Sequence, residues 1–274
     1  MKKLIACFVS GLLSLSLFGL DIFSYVSLPE NVKSVTCSEY SITTKFGDYF
    51  KTPAGKITRT FDANGNETES AAYTARGLLE DKMLSEYDDS GNIKSQTALN
   101  KAEDVMWKTE FVYKNGVKTE SDDYLKDGSL KGKTFYTYKD GLLADETGYD
   151  SKGALIWKTI YKYDASGRIE KESVYFGNGL IDEDTTYTYR DDGKIDSIAK
   201  MSVIDGVKQE VFRYSSDGVL SEITTYDADN KVAKRLIIKY DAGKVSKISD
   251  YVVAEKFGTI VNELVYIAEY AYEF

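Results

Sequence analysis

The sequence predicts an all-β chain, an antiparallel meander of tandem β-hairpin repeats arranged as an extended or coiled single sheet. Three observations carry that expectation. Glycine returns about every 12–14 residues over most of the chain, a spacing that marks a repeat architecture. The stretches between glycines are rich in Thr, Val, Ile and Tyr, which suit strands. Proline, which would interrupt a sheet, occurs only at Pro29 and Pro53.

The chain opens with a leader, assigned to residues 1–19. Lys2 and Lys3 precede an apolar run from Leu4 to Leu20. That run is shorter than the ~20 residues of a membrane-spanning helix and has the layout of a secretory signal peptide. Gly19 is a candidate small residue before cleavage, and Ser24 a second one. Export to the periplasm or cell surface follows, with no membrane span in the mature chain. LIAC at residues 4–7 resembles a lipoprotein box, but the apolar run continues past Cys7, so lipidation is not expected. With the leader removed, Cys37 is the only thiol, and no internal disulfide can form.

Residues 20–54 read as an N-terminal segment or cap. Residues 55–250 hold the repeats, and 251–274 form a C-terminal β cap. Within the repeats, units such as ALIWKTIYKYDASG (154–167) and LIDEDTTYTYRDDG (180–193) each give a strand and then a turn. Asp, Asn and Ser bond their own backbone in tight turns, and Gly supplies positive φ. A helix would carry a glycine in every repeat at about 1 kcal/mol each, without a 3.6-residue period to compensate. Alternation puts Leu155, Trp157, Thr159, Tyr161 and Tyr163 on one strand face. The aliphatic residue after one turn should therefore meet the tyrosine before the next across an antiparallel pair.

The segments YDASGRIEKES (163–173), YDDSGNIKSQT (87–97), YRDDGKIDSI (189–198) and YDAGKVSKIS (240–249) resemble YD repeats, the tandem motif of RHS-type proteins. The resemblance implies noncatalytic β-ribbon. In large members of that family the ribbon winds into a shell around a toxic domain. This chain is short, and a closed shell is not expected.

Function is read mainly by exclusion. The chain has 35 Lys and Arg against 44 Asp and Glu, a net charge of -9, and no histidine. The charge argues against nucleic acid as a partner. Without histidine the Ser-His-Asp and Cys-His arrangements are unavailable, and no metal or other cofactor is expected. DANGNE (62–67) and DADN (227–230) space oxygen ligands as calcium loops do, but Tyr73 occupies loop position 12, so both are read as turns. Acidic clusters at Asp88-Asp89, Asp122-Asp123, Asp182-Glu183-Asp184 and Asp191-Asp192 are the candidates for a carboxylate pair. Tyrosine is the one enriched chemical group, with 22 copies. Tyr136, Tyr138, Tyr161, Tyr163, Tyr187 and Tyr189 recur on one face and are the candidate binding residues, for a protein or a surface glycan. The expectation is an exported, noncatalytic binding or structural module of the cell envelope. Its alternatives are a carboxylate-based glycan hydrolase and an immunity or carrier protein for an exported toxin.

Overall fold

The computed structural model describes residues 21–274 except 46–47, 205 and 257. The leader, Cys7 and the Gly19 cleavage site lie outside the described residues. A 3-10 turn, Ile22–Ser24, precedes eighteen strands. The first six are β1 (Ser34–Lys45), β2 (Asp48–Phe61), β3 (Glu67–Thr74), β4 (Leu79–Tyr87), β5 (Ile93–Asn100) and β6 (Val105–Lys114). Next come β7 (Val117–Leu125), β8 (Leu130–Lys139), β9 (Leu142–Asp150), β10 (Leu155–Tyr163), β11 (Ile169–Phe176) and β12 (Ile181–Tyr189). The last are β13 (Ile195–Ser202), β14 (Gly206–Tyr214), β15 (Leu220–Tyr226), β16 (Val232–Asp241), β17 (Lys244–Lys256) and β18 (Thr259–Glu273).

Each strand pairs antiparallel with the next, and β18 pairs back onto β1 from Ser34↔Glu273 to Ser41↔Tyr266. The antiparallel hairpin meander is as expected, and it closes into a barrel, a more specific arrangement than the extended or coiled single sheet read from the sequence. The segments expected to cap the ends are part of the wall: β1 and the first half of β2 lie in 20–54, and β18 lies in 251–274. Joining them leaves no unpaired edge.

The repeat unit is visible at each turn. The Asp164 side chain accepts from the N–H groups of Ser166 and Arg168, both at 2.9 Å. Gly167, at φ +75°, donates its N–H to the Asp164 carbonyl. Asp62, Asp88 and Asp150 make the same two side-chain bonds. Just before these turns the register slips by one residue, as at Lys162/Tyr163, Thr188/Tyr189 and Arg213/Tyr214. Such bulges bend a strand and increase its twist. Beyond the slip the expected pairs form: Tyr163↔Ile169, Tyr189↔Ile195 and Tyr214↔Leu220.

The inner face is identified by the N-terminal segment. Asp21 bonds Arg59 on β2 at 3.0 Å, Phe23 packs edge-on against Tyr270 on β18, and Tyr25 lies 5.0 Å from the Phe212 ring on β14. Five residues span at most about 18 Å. The wall from β14 round to β2 occupies roughly 29 Å. A segment so short touches strands so far apart only from the concave side. It forms a plug. Ile22, 1% exposed, is buried among Phe212, Ile223, Leu236, Ile248 and Ala268.

Candidate functional site

Following the registers from the plug assigns both faces of every strand. The inner wall carries Tyr136, Tyr161 and Tyr187, with Ser121, Glu146 and Glu172 on the strand before each. The Tyr161 hydroxyl donates to Glu146 at 3.2 Å and that of Tyr187 to Glu172 at 3.1 Å, while Tyr136 and Ser121 share a bond at 3.2 Å. Burial pushes the Glu146 and Glu172 carboxyls above the ordinary carboxylate range, against the lowering effect of these bonds and, at Glu146, of Lys118. Glu210 is raised by the same cause.

A second ring of aromatics ends every even-numbered strand at one rim: Phe61, Tyr87, Tyr113, Tyr138, Tyr163, Tyr189, Tyr214, Tyr240 and Tyr272. Six of them donate their hydroxyl to a backbone carbonyl of the preceding strand. Tyr163 reaches Leu143 at 2.7 Å, Tyr189 reaches Ile169 at 2.6 Å, and Tyr214 reaches Ile195 at 2.9 Å. Tyr87, Tyr240 and Tyr272 repeat the bond. Each such tyrosine pairs forward, through a bulge in all but Tyr272, and bonds backward through its hydroxyl, so one side chain ties three strands together.

The six tyrosines singled out from the sequence thus lie on one face, as alternation requires, but that face looks inward. Tyr136 is buried, Tyr161, Tyr163, Tyr187 and Tyr189 are half-buried, and Tyr138 at 40% is the exposed one. The other five are turned toward the interior of the barrel. The hydroxyls of Tyr136, Tyr161, Tyr163, Tyr187 and Tyr189 are bonded within the wall.

The carboxylate candidates are separated by the same geometry. Glu183 faces inward to Lys200 at 2.6 Å, whereas its neighbour Asp184 faces outward to Lys171 at 2.9 Å. Asp122 faces outward to Lys133 at 2.9 Å, and Asp123 faces inward to Thr109. Adjacent strand residues point to opposite faces, so these clusters do not converge on one reacting bond. Asp88 and Asp62 are held in their turns, and their carboxyls lie below the ordinary range through those bonds. Cys37 faces inward beside Tyr270, and burial pushes its thiol up to about 12.

The outer wall was not legible from the repeat. It is a belt of cross-strand ion pairs. Lys133 reaches Glu120 at 2.6 Å, Lys158 reaches Asp145 at 3.3 Å, Lys171 reaches Asp184, and Arg235 reaches Glu222 at 2.9 Å. Lys82 with Glu69 on one side, and Lys51 with Glu269 across the closing seam, extend the belt, and Lys108 pairs with Glu110 along β6. Of the two best-formed depressions, one lies on this wall. It occupies about 490 Å³ and is floored by Phe135 and Tyr149, with ring centroids 5.8 Å apart. Lys133 and Asp145 stand at its margin. The other lies at the tyrosine rim beside the plug, lined by Tyr25, Tyr214 and Tyr240.

No protein-family model matches the chain, and no curated protein matches it. Among solved structures it is similar to a porin-like protein from Bacteroides uniformis, at 11% identity over 91% of this chain and 100% of that one, with a TM-score of 0.49. A porin-like protein from Bacteroides vulgatus is 12% identical over 77% of this chain and 98% of its own, with a TM-score of 0.40. TcdB2-TccC3 without its hypervariable C-terminal region is 11% identical over 83% of this chain and 19% of that one, with a TM-score of 0.24. At these identities and scores the likeness says nothing of function.

Proposed function

We propose that the protein is an exported, noncatalytic binding and structural module that stands in an aqueous compartment of the cell envelope. The observation that carries this reading is the outer wall. A membrane-spanning barrel turns a continuous apolar band about 25 Å tall toward lipid, and a Lys or Arg at its midplane costs about 2–4 kcal/mol. Here Lys82, Lys108, Lys133, Lys158, Lys171 and Arg235 sit on the outward face, each with a carboxylate partner. The YD-repeat resemblance supports the noncatalytic part of the reading. The Phe135–Tyr149 depression, with a cation and a carboxylate at its margin, is where a sugar face or a peptide side chain would sit.

The test is fractionation of source cells, with the envelope treated with alkaline carbonate. Release of the protein into the soluble fraction is the expected result. Retention with the integral membrane proteins would overturn the reading.

A further inference from the structure

The seam leaves the barrel itself no open edge, but it ends at Ser41↔Tyr266 while the strands on either side run on. β1, β2, β17 and β18 have 12, 14, 13 and 15 residues, against seven to ten in the other strands. The excess lies at the rim where odd-numbered strands hand over to even-numbered ones. β2 meets β3 only from Gly55↔Thr74, and β17 meets β16 only as far as Lys234↔Val252. Two hairpins therefore project from the rim, 42–45 with 48–54 and 253–256 with 259–265. A register slip stands at the root of each, at Glu39/Tyr40 between β1 and β2 and at Asp250/Tyr251 between β17 and β18. Such bulges bend a strand, and β1 and β18 part there as the two sides of a fork.

The facing sides of the fork are free strand edges. Residues 42–45 pair with β2 alone and residues 259–265 with β17 alone. Half of their N–H and C=O groups thus turn into the fork without a backbone partner among the described residues. At ~3.3 Å per residue the two edges are about 13 and 23 Å long. The outer edges of the same hairpins are blunted, by Pro53 on β2 and by Glu255 and Lys256 at the end of β17. The facing edges are built for pairing. Ile42, Thr43 and Thr44 on one side and Thr259, Ile260 and Val261 on the other are β-branched. Charge enters there at Lys45 and at Glu263, which is bonded to Lys256. Alternation puts Ile42, Ile260 and Leu264 on the outward face of the fork and Thr43, Val261 and Glu263 on the inward one.

We propose that the fork takes an extended segment of a partner protein as an added strand. The unpaired backbone selects the occupant. A row of donors and acceptors at strand spacing is matched by another strand, not by a sugar or a lipid headgroup. The side chains set the sequence that strand carries. Aliphatic residues at alternate positions meet Ile42, Ile260 and Leu264, and polar residues between them meet Thr43 and Glu263. A second copy of this chain is a poorer fit. It presents these edges only inside its own fork, so pairing them forces both forks open, whereas a free segment enters as a single strand. The proposal rests on the binding-module reading above and names the chemistry of the partner.

The experiment is selection of phage-displayed random peptides on the purified protein, followed by titration of the selected peptide in synthetic form. Alternating aliphatic and polar residues are expected in the selected set. Methylating the backbone nitrogens of its central residues, with every side chain kept, should weaken binding roughly tenfold, the loss of one or two backbone hydrogen bonds. Ile42→Lys/Leu264→Lys should weaken it as much. Leu78→Lys/Ile204→Lys, at positions 65% and 84% exposed elsewhere on the same rim, should bind as the unmodified protein does. Unchanged circular dichroism confirms the fold of both variants, and the methylated peptide leaves the protein untouched. Failure of the selection, a peptide that tolerates methylation, or equal binding by the two variants overturns the proposal. So does a concentration-dependent dimer that Ile42→Lys/Leu264→Lys abolishes with no peptide bound, since the fork then serves a second copy. These failures leave the carbonate result standing, whereas retention after carbonate removes the aqueous compartment and leaves the peptide titration intact.

Discussion

At the scale of the residue, the tyrosine that closes an even-numbered strand acts through its hydroxyl as well as its ring. The Tyr189 hydroxyl satisfies the Ile169 carbonyl at the first residue of β11. Phe61 stands at the equivalent position of β2, so a phenyl ring fits the site. Tyr189→Phe should therefore keep the packing and lose one hydrogen bond, at a cost of about 1 kcal/mol. Equilibrium urea unfolding reads that loss, and a cost near zero would mean that water replaces the hydroxyl. The inward carboxylates set a pH dependence of definite sign. Glu146, Glu172 and Glu210 have folded values raised above 4.5 by burial. Each holds its proton longer folded than unfolded, so its contribution is full below about 4.5 and is lost as pH rises through the raised value. The turn aspartates have lowered values and oppose this, losing their contribution as pH falls below 3.8. Unfolding midpoints should thus be highest in mildly acidic buffer, and Glu172→Gln should flatten the decline on the alkaline side. An unchanged profile in that variant would remove Glu172 from the account.

At the scale of the element, the YD-x-x-G unit explains itself in bonds: Tyr after a bulge, Asp as the side-chain acceptor of the turn, Gly at positive φ, and an aliphatic residue opposite the Tyr. That much was legible, because each part depends on residues within one hairpin. The direction of the faces was not. Both faces of β10 mix ring, hydroxyl and charge: Trp157, Thr159 and Tyr161 inward, Lys158, Ile160 and Lys162 outward. Alternation pairs residues onto a face without saying which face is concave. The plug that decides it, Ile22 and Tyr25, comes from a segment with no repeat pattern, and Phe135 and Tyr149 escaped notice because they lie on the face opposite the recurring tyrosines. The repeat also predicts which deletions are tolerated. Removing 168–193 takes out β11 and β12 and joins Gly167 to Lys194, so Ile195 replaces Ile169 opposite Tyr163. Sixteen of the eighteen strands remain, an even number that still closes antiparallel. Removing 168–179 takes out β11 alone, and β1 and β18 would then run parallel. The first variant should unfold cooperatively and remain monomeric by light scattering, and the second should aggregate; similar behaviour of the two would count against closure.

At the scale of the molecule, closure turns eighteen similar strands into one object, and it depends on a single seam. Closure was not legible because β1 and β18 belong to the least regular parts of the chain, and because curvature is the sum of many small bulges. The seam carries its own bonds. Ser34 donates to Glu273 at 2.8 Å, Lys33 reaches the Phe274 carbonyl at 2.9 Å, and the buried Tyr266 hydroxyl donates to Glu39 at 2.6 Å. Glu39 is itself buried, and burial raises its carboxyl despite that bond. Tyr266→Phe would leave Glu39 without its donor in the interior, a loss of about 1–3 kcal/mol rather than the smaller cost of an exposed bond. Because Tyr266 pairs with Ser41 and Asp250, the effect should be concentrated at the seam. Hydrogen exchange would then show amides of β1 and β18 opening before those of β7 to β12, whereas Tyr189→Phe should leave that order unchanged. Uniform loss of protection in Tyr266→Phe would mean that the barrel opens as one unit and that no strand pair is its weakest point.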